Sequence, residues 1–148
     1  MLELPPSIWA LIYLVVAGAV SWVYPWRAWI DLRVLWLGAL LIVFGFGLAF
    51  SAATLFRRKG TEIKPTSETN ALLVIEGPFR LTRNPMYLGL TAFTLGIALC
   101  VGSLPMFAVP LLVFATANWG HIPFEEAKMR RQFGTAFDDY TRAVRRWI

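Results

Sequence analysis

The stretch GPFRLTRNPMYLG, residues 77–89, places two arginines, an asparagine and a proline directly before a long apolar run. Asn84 followed by Pro85 is typical of a helix start, because asparagine caps free backbone N–H groups and proline fits the first helical position. The run that follows, residues 86–104, carries no charged residue. The stretch therefore predicts a polar elbow from which an apolar helix begins.

Three other blocks of the chain are equally apolar: residues 8–24, 32–56 and 105–119. Apolar residues make up 57% of the 148 residues and charged residues 16%, against about 45–50% and about 25% in ordinary globular proteins. This composition predicts an all-α integral membrane protein, a single domain over residues 1–148, with four transmembrane helices and a cytoplasmic C-terminal helical tail. The N-terminal MLELPPS has no basic residue for a signal peptide, so we expect the first block to remain as an anchor.

The fourth block is short. About 20 helical residues cross a hydrocarbon core of about 30 Å, and 15 residues reach only about 22 Å. The block must therefore extend into residues 120–126, or lie where the bilayer or the protein accommodates a short helix.

Basic residues indicate the orientation. Of fourteen Lys and Arg residues, six lie in the loop of residues 57–85 and six follow Trp119. With four crossings, both regions lie on one side, which the positive-inside rule makes cytoplasmic. We expect a multi-pass protein of the bacterial inner membrane or an equivalent membrane. The charge balance thus reflects topology, and we expect no nucleic-acid partner.

Glycines indicate how two of the helices pack. Gly38 and Gly45 lie seven residues apart on the second block, and Gly89 and Gly96 have the same spacing on the third. Each pair marks one helix face, and small residues let membrane helices approach closely. Only GSLP, residues 102–105, separates the third and fourth blocks, which predicts a tight helical hairpin.

The elbow carries more polar groups than a helix start requires. Arg83 and Tyr87 can face the free N–H groups of the helix end, and Arg80 lies nearby. A helix N-terminus attracts anions, and arginine recognises carboxylates and phosphates in a planar, bidentate way. The alternative is that these arginines only contact lipid headgroups.

Residues 120–148, the tail, add an acidic pair. Pro123 fits a helix start, with Glu125 and Glu126 in the first turn, and Glu126 can pair with Arg130 at i, i+4. The alternative to this exposed helix is a ligand site, because carboxylates near a membrane tend to mark one. His121 has no second ligand nearby for a metal, so we expect an interfacial polar residue and no metal site.

The end of the tail, RAVRRWI, predicts an amphipathic segment, with Trp147 and Ile148 against the membrane and arginines at headgroups. Motifs for nucleotide binding and zinc proteolysis, GxGxxG after a strand, the P-loop and HExxH, are all absent. A soluble dinucleotide-binding domain is excluded.

The chain resembles the isoprenylcysteine carboxyl methyltransferase family and its relatives, the membrane phospholipid methyltransferases. The resemblance lies in a series of motifs in this order: GPFRLTRNPMYLG, an apolar hairpin, EE, QFG, Y and VRRWI. The resemblance covers residues 60–148, the expected cofactor-binding half, and implies S-adenosylmethionine as methyl donor. Many members have histidine where this chain has Asn84. With the elbow, the acidic pair and the tail, the expected cofactor-binding residues are Arg80, Arg83, Asn84, Pro85, Tyr87, Gly89, His121, Glu125, Glu126, Tyr140 and Arg145. The expected catalytic residues are Arg83, Tyr87 and Glu126.

The resemblance implies carboxyl methylation of an isoprenylcysteine-like acceptor, a lipophilic or prenylated substrate that reaches the site from the bilayer. Phospholipid or other small-lipid N- or O-methylation is the alternative, and the sequence does not separate the two. A non-enzymatic alternative is a small membrane scaffold or transporter subunit in which the elbow binds membrane lipids. That alternative predicts no cofactor binding.

Overall fold

The computed structural model describes residues 4–24, 31–60 and 72–148, and all regular structure within these ranges is helical. Part of the polar loop after the second block, including Lys64, lies outside the described residues, as do Arg27 and the N-terminal residues 1–3. The elements in chain order are α1 Pro6–Val23, α2 Leu35–Arg58, a 3-10 helix Gly77–Arg80, α3 Pro85–Val101, α4 Leu104–Ala115, a π-helix Thr116–His121, α5 Ile122–Phe133 and α6 Thr135–Ala143.

Three helices are long and apolar enough to cross a membrane: α1, α2 and the continuous helix Leu104–Phe133. Helix α3, at 17 residues, is apolar but shorter. Large apolar side chains on α1 and α2 are exposed, among them Val15, Trp36 and Phe50. Exposed apolar surface of this extent suits a lipid environment rather than water.

The fourth block is part of a helix longer than the block itself. Helix α4 continues through the π-helix into α5, so the extension past residue 119 is the alternative that the structure contains. Pro123 consequently does not begin a separate helix. The turn before Pro123 is widened to π-helical geometry, which lets the chain continue past a residue that has no N–H to donate.

The predicted glycine faces of α2 and α3 are confirmed, and they meet each other. A Cβ on Gly45 would lie 2.4 Å from the carbonyl oxygen of Gly89, and a Cβ on Gly38 would lie 2.8 Å from that of Gly96. Side chains at these positions would separate the helices. The backbones therefore touch along a seam that runs the length of α3.

The predicted hairpin between α3 and α4 is confirmed. Gly102 ends α3 with a φ of 69°, a left-handed conformation that glycine adopts without steric cost, and α4 begins two residues later. Helix α1 packs on this hairpin, and the hydroxyls of Ser21 and Ser103 hydrogen-bond at 2.9 Å. The core there contains Ala10, Ala17, Ala98, Met106, Val109 and Val113.

At the opposite end of the bundle, the elbow meets α5 and α6. The ring of Phe79 stacks on that of Phe56 in α2, with centroids 4.9 Å apart and an interplanar angle of 2°. Gly134, with a φ of 52°, turns the chain between α5 and α6. The start of α3 and the acidic pair meet at this end through the hydrogen bond between Tyr87 and Glu125, although they are about 40 positions apart in the sequence.

Candidate active site

A cavity of about 460 Å³ opens at this end of the bundle, between α2, the start of α3, α5 and α6. Its volume lies within the range of about 300–1,000 Å³ that is usual for small-molecule sites. Most of the wall is apolar. The polar side chains of the lining include Arg83, Tyr87, Glu125, Glu126 and Tyr140.

Glu126 stands between two arginines. One oxygen lies 3.3 Å from Nη1 of Arg83, and the other accepts a 2.6 Å hydrogen bond from Nη2 of Arg146. The side chains of Arg83 and Glu126 are only 15% and 17% exposed, so solvent screens this cluster less than a surface ion pair.

The predicted pair between Glu126 and Arg130 is wrong. Arg130 lies 2.8 Å from Asp138 of α6 instead, in an exposed pair. The i, i+4 spacing favours only a weak contact on an isolated helix. Arg83 and Arg146, whose side chains are less exposed to solvent than that of Arg130, pair with the Glu126 carboxylate instead.

Arg83 also carries an unused donor. Its Nε atom is buried and has no hydrogen-bond partner among the described residues. Buried donors in proteins are nearly always paired. This donor, on a residue that lines the cavity, therefore fits a site for an acceptor group such as a carboxylate.

Tyr87 and Glu125 form the second polar contact of the wall. The tyrosine hydroxyl donates a 2.6 Å hydrogen bond to the glutamate. On the other side, the Tyr87 ring stacks on His121, with centroids 6.2 Å apart. The first turn of α3 is thereby fixed to the long helix at two points.

The expectation of an interfacial His121 is wrong, since its side chain is fully buried. The π-helix ends at His121 and packs its ring on Tyr87, away from the lining of the cavity. Within the described part of the chain, neither ring nitrogen has a hydrogen-bond partner.

Asn84 occupies the N-cap position of α3, as predicted, but its side chain does not cap the helix. Its amide instead donates a 3.0 Å hydrogen bond to the carbonyl oxygen of Arg146. Thr82 donates to the same carbonyl at 3.0 Å and accepts from the backbone N–H of Asn84 at 3.1 Å. The hydrogen bond from Nδ2 turns the Asn84 side chain toward the C-terminal segment, residues 144–148, and both Asn84 and Thr82 hold that segment.

The other expected site residues take different places. Tyr140 lines the cavity and donates a 2.7 Å hydrogen bond to the carbonyl of Phe79. Burial raises the pKa of Tyr140 to about 12, which keeps this donor protonated.

Pro85 lines the cavity at the start of α3, whereas Gly89 belongs to the seam with Gly45. Arg80 is exposed and does not line the cavity.

Arg145 contributes its backbone rather than its side chain. Its carbonyl accepts a 3.0 Å hydrogen bond from the N–H of Arg83, while its side chain is exposed. Within the C-terminal segment, the guanidinium that reaches the acidic pair belongs to Arg146. The sequence predicts lipid headgroups as the partners of that side chain. RAVRRWI contains three arginines, and only the extended backbone after α6 decides which of them points inward.

Trp147 makes two specific contacts within the protein and is half-buried. Its ring packs on Phe114 of α4, with centroids 4.6 Å apart, and its Nε1 donates a 3.0 Å hydrogen bond to Asn118. The sequence alone does not predict this role for Asn118. The only sequence signal for it is an amide inside an otherwise apolar run.

The model of the phospholipid methyltransferase family matches residues 34–136, more than half of the chain. Methanethiol S-methyltransferase 2 of Bradyrhizobium diazoefficiens is 34% identical in an alignment 133 residues long, and the match covers 79% of this chain. The chain spans 44% of that relative's length. No solved structure matches the chain. The family match includes α2, the elbow, α3 to α5 and the acidic pair, and by it this chain belongs to the phospholipid methyltransferase family, whose members transfer methyl groups.

Proposed function

We propose that this protein is an S-adenosylmethionine-dependent membrane methyltransferase that acts on a lipophilic acceptor. In this proposal four helices cross the bilayer, and the elbow and tail face the cytoplasm. The observation that carries the proposal is the cavity beside α3, which combines an ion-paired polar wall with apolar surface. Family membership supplies the reaction class.

The polar wall fits the donor's charged groups. Arg83, with its unpaired buried Nε, suits the donor carboxylate, and Glu125 suits the ammonium or the ribose hydroxyls. The Tyr87 ring offers a π-face for the sulfonium. When bound, S-adenosylmethionine supplies an electrophilic methyl group, and the protein needs no covalent nucleophile.

Glu126 has a different role in this proposal. It is already shared by the guanidinium groups of Arg83 and Arg146, so it orients Arg83 rather than binding a second cation. The remaining task of the protein is to hold the methyl donor and the acceptor in line and to exclude water. Both effects contribute strongly to the rate of such displacement reactions.

The apolar wall suits the acceptor. Ala49, Ala53 and Phe56 of α2 contribute apolar lining to the same cavity. An isoprenylcysteine-like carboxylate, the acceptor that the sequence motifs favour, needs no base. A phospholipid amine, which the family description favours, or a thiol, which the relative's name favours, must lose a proton. In this proposal the Glu125 carboxylate, which lines the cavity beside Tyr87, takes that proton.

Transfer of labelled methyl groups from S-adenosylmethionine tests the proposal. Purified protein in nanodiscs is given phosphatidylethanolamine, an S-prenylcysteine analogue or an alkanethiol in separate reactions. One acceptor class is expected to become labelled, and Arg83→Ala is expected to reduce its labelling strongly. Arg142→Gln, a change in an exposed pair with Asp139, serves as the matched control. If none of the three acceptors becomes labelled and the protein does not bind the donor, the proposal that this protein is a methyltransferase is overturned.

Glu125→Gln then separates the acceptor chemistries. If the acceptor is an amine or a thiol, this variant loses kcat in addition to any change in the donor KM. If the acceptor is a carboxylate, kcat is retained at saturating donor. The two results assign Glu125 as a base or only as a binding group.

A further inference from the structure

The π-helix Thr116–His121 carries an amide that ties down the end of the chain. Oδ1 of the half-buried Asn118 accepts a 3.0 Å hydrogen bond from Nε1 of Trp147. Nη1 of Arg146 lies at the limit of hydrogen-bond distance from the same oxygen, at 3.5 Å. Asn118 therefore contacts two consecutive residues of the C-terminal segment.

Arg146 connects this tie to the site through both of its ends. Its carbonyl accepts the hydrogen bonds of Thr82 and Asn84 in the elbow. Its guanidinium donates to both oxygens of Glu126, at 3.2 and 2.6 Å. A shift of Arg146 would thus be transmitted to Glu126, and from Glu126 to Arg83.

Asn118 lies on the π-helical turn, ahead of the acidic pair on the same continuous helix. A π-helix inserts an extra residue per turn compared with an α-helix, and one residue rotates the following side chains by about 100°. Asn118 contacts the C-terminal segment, while Glu125 and Glu126, about two turns later, line the cavity.

We propose that Asn118 is a positioning residue for the methyl-donor site. It holds Trp147 and Arg146 so that the Glu126 carboxylate keeps Arg83 turned toward the cavity. The inference rests on the proposed function for its kinetic consequence, but the structural tie itself is independent of any activity.

Two substitutions separate this role from ordinary packing. Asn118→Leu keeps a similar volume and removes the acceptor, whereas Asn118→Asp retains an acceptor oxygen next to Trp147 and Arg146. Asn118→Leu is expected to raise the donor KM about tenfold, the effect of one ordinary hydrogen bond, with a smaller change in kcat. Asn118→Asp is expected to stay within about twofold of the wild type.

The partner substitution Trp147→Phe removes the donor of the same hydrogen bond and keeps the ring against Phe114. Its effect on KM should match that of Asn118→Leu, and the double variant should be no worse than either single one. Trp119→Phe, in an exposed tryptophan one residue after Asn118, is the matched control and should leave KM unchanged.

Hydrogen exchange provides the readout that does not depend on activity. The N–H of Arg83, bonded to the carbonyl of Arg145, should exchange faster in Asn118→Leu and as slowly as the wild type in Asn118→Asp. Unchanged exchange in Asn118→Leu, or additive effects in the double variant, overturns the positioning role. If the wild type binds no methyl donor, the proposed function fails, and the exchange result still decides whether Asn118 holds the segment.

Discussion

The Tyr87 hydroxyl donates a 2.6 Å hydrogen bond to Glu125 and so joins the first turn of α3 to α5 across 38 sequence positions. Both side chains line the cavity. The elbow and the acidic pair are thereby two halves of one wall, and each half alone has the ordinary features of a helix terminus. Their contact is the feature that distinguishes a candidate active site from two separate interfacial segments.

Removing this hydrogen bond should impair methyl transfer. Tyr87→Phe retains the ring on His121 but leaves the Glu125 carboxylate without its donor. Losing a hydrogen bond to a charged group costs about 1.5–3 kcal/mol, so kcat/KM should fall about ten- to 100-fold. Tyr13→Phe is the matched control, since it removes a 2.9 Å hydrogen bond to Thr116 from outside the cavity. Equal kinetic effects of the two variants would refute a specific role for Tyr87.

The last two arginines should differ in importance. Arg146→Gln removes the bidentate partner of Glu126, whereas Arg145→Gln changes an exposed side chain and leaves its backbone carbonyl in place. We expect the donor KM to rise about tenfold or more in Arg146→Gln and less than about twofold in Arg145→Gln. Steady-state kinetics at varied donor concentration measure the difference, and the reverse order would contradict the assigned geometry.

Stability should depend on the seam between α2 and α3. Gly45→Ala places a Cβ 2.4 Å from the carbonyl oxygen of Gly89, and backbone atoms cannot move aside without separating the helices. Overpacking of this kind costs about 1–3 kcal/mol, so Tm in detergent should fall by several degrees.

Gly47→Ala is the control for that change, because a Cβ there meets nothing within 4 Å. It should leave Tm unchanged or raise it slightly, since alanine is the better helix former by about 1 kcal/mol. A Gly45→Ala variant as stable as Gly47→Ala would show that the seam does not need close contact.

The sequence predicts the helical architecture well because the relevant signals are local. Apolar block length locates α1 to α3 within a few residues, and glycine spacing identifies the seam. The pairing of Gly45 with Gly89 follows once two antiparallel helices each carry a small-residue face. The same argument places the elbow at one end of the bundle, where α3 begins.

The site depends on relations that no local pattern contains. The continuous path from α4 to α5 requires the π-helix, and Pro123 suggested a new helix start instead. The choice of Arg146 over Arg145 depends on the backbone direction after α6. Asn118 was missed for the same reason, since its partners lie 28 and 29 positions away.

The central claim is that Arg83 and its neighbours bind a methyl donor, and calorimetric titration of the purified protein with S-adenosylmethionine tests it most directly. The wild type and the Arg142→Gln control should bind saturably with equal Kd. Arg83→Ala should weaken binding about ten- to 100-fold, the effect of lost hydrogen bonds to a charged group. A wild type that shows no saturable binding, or an Arg83→Ala variant that binds as tightly as the wild type, would contradict the account.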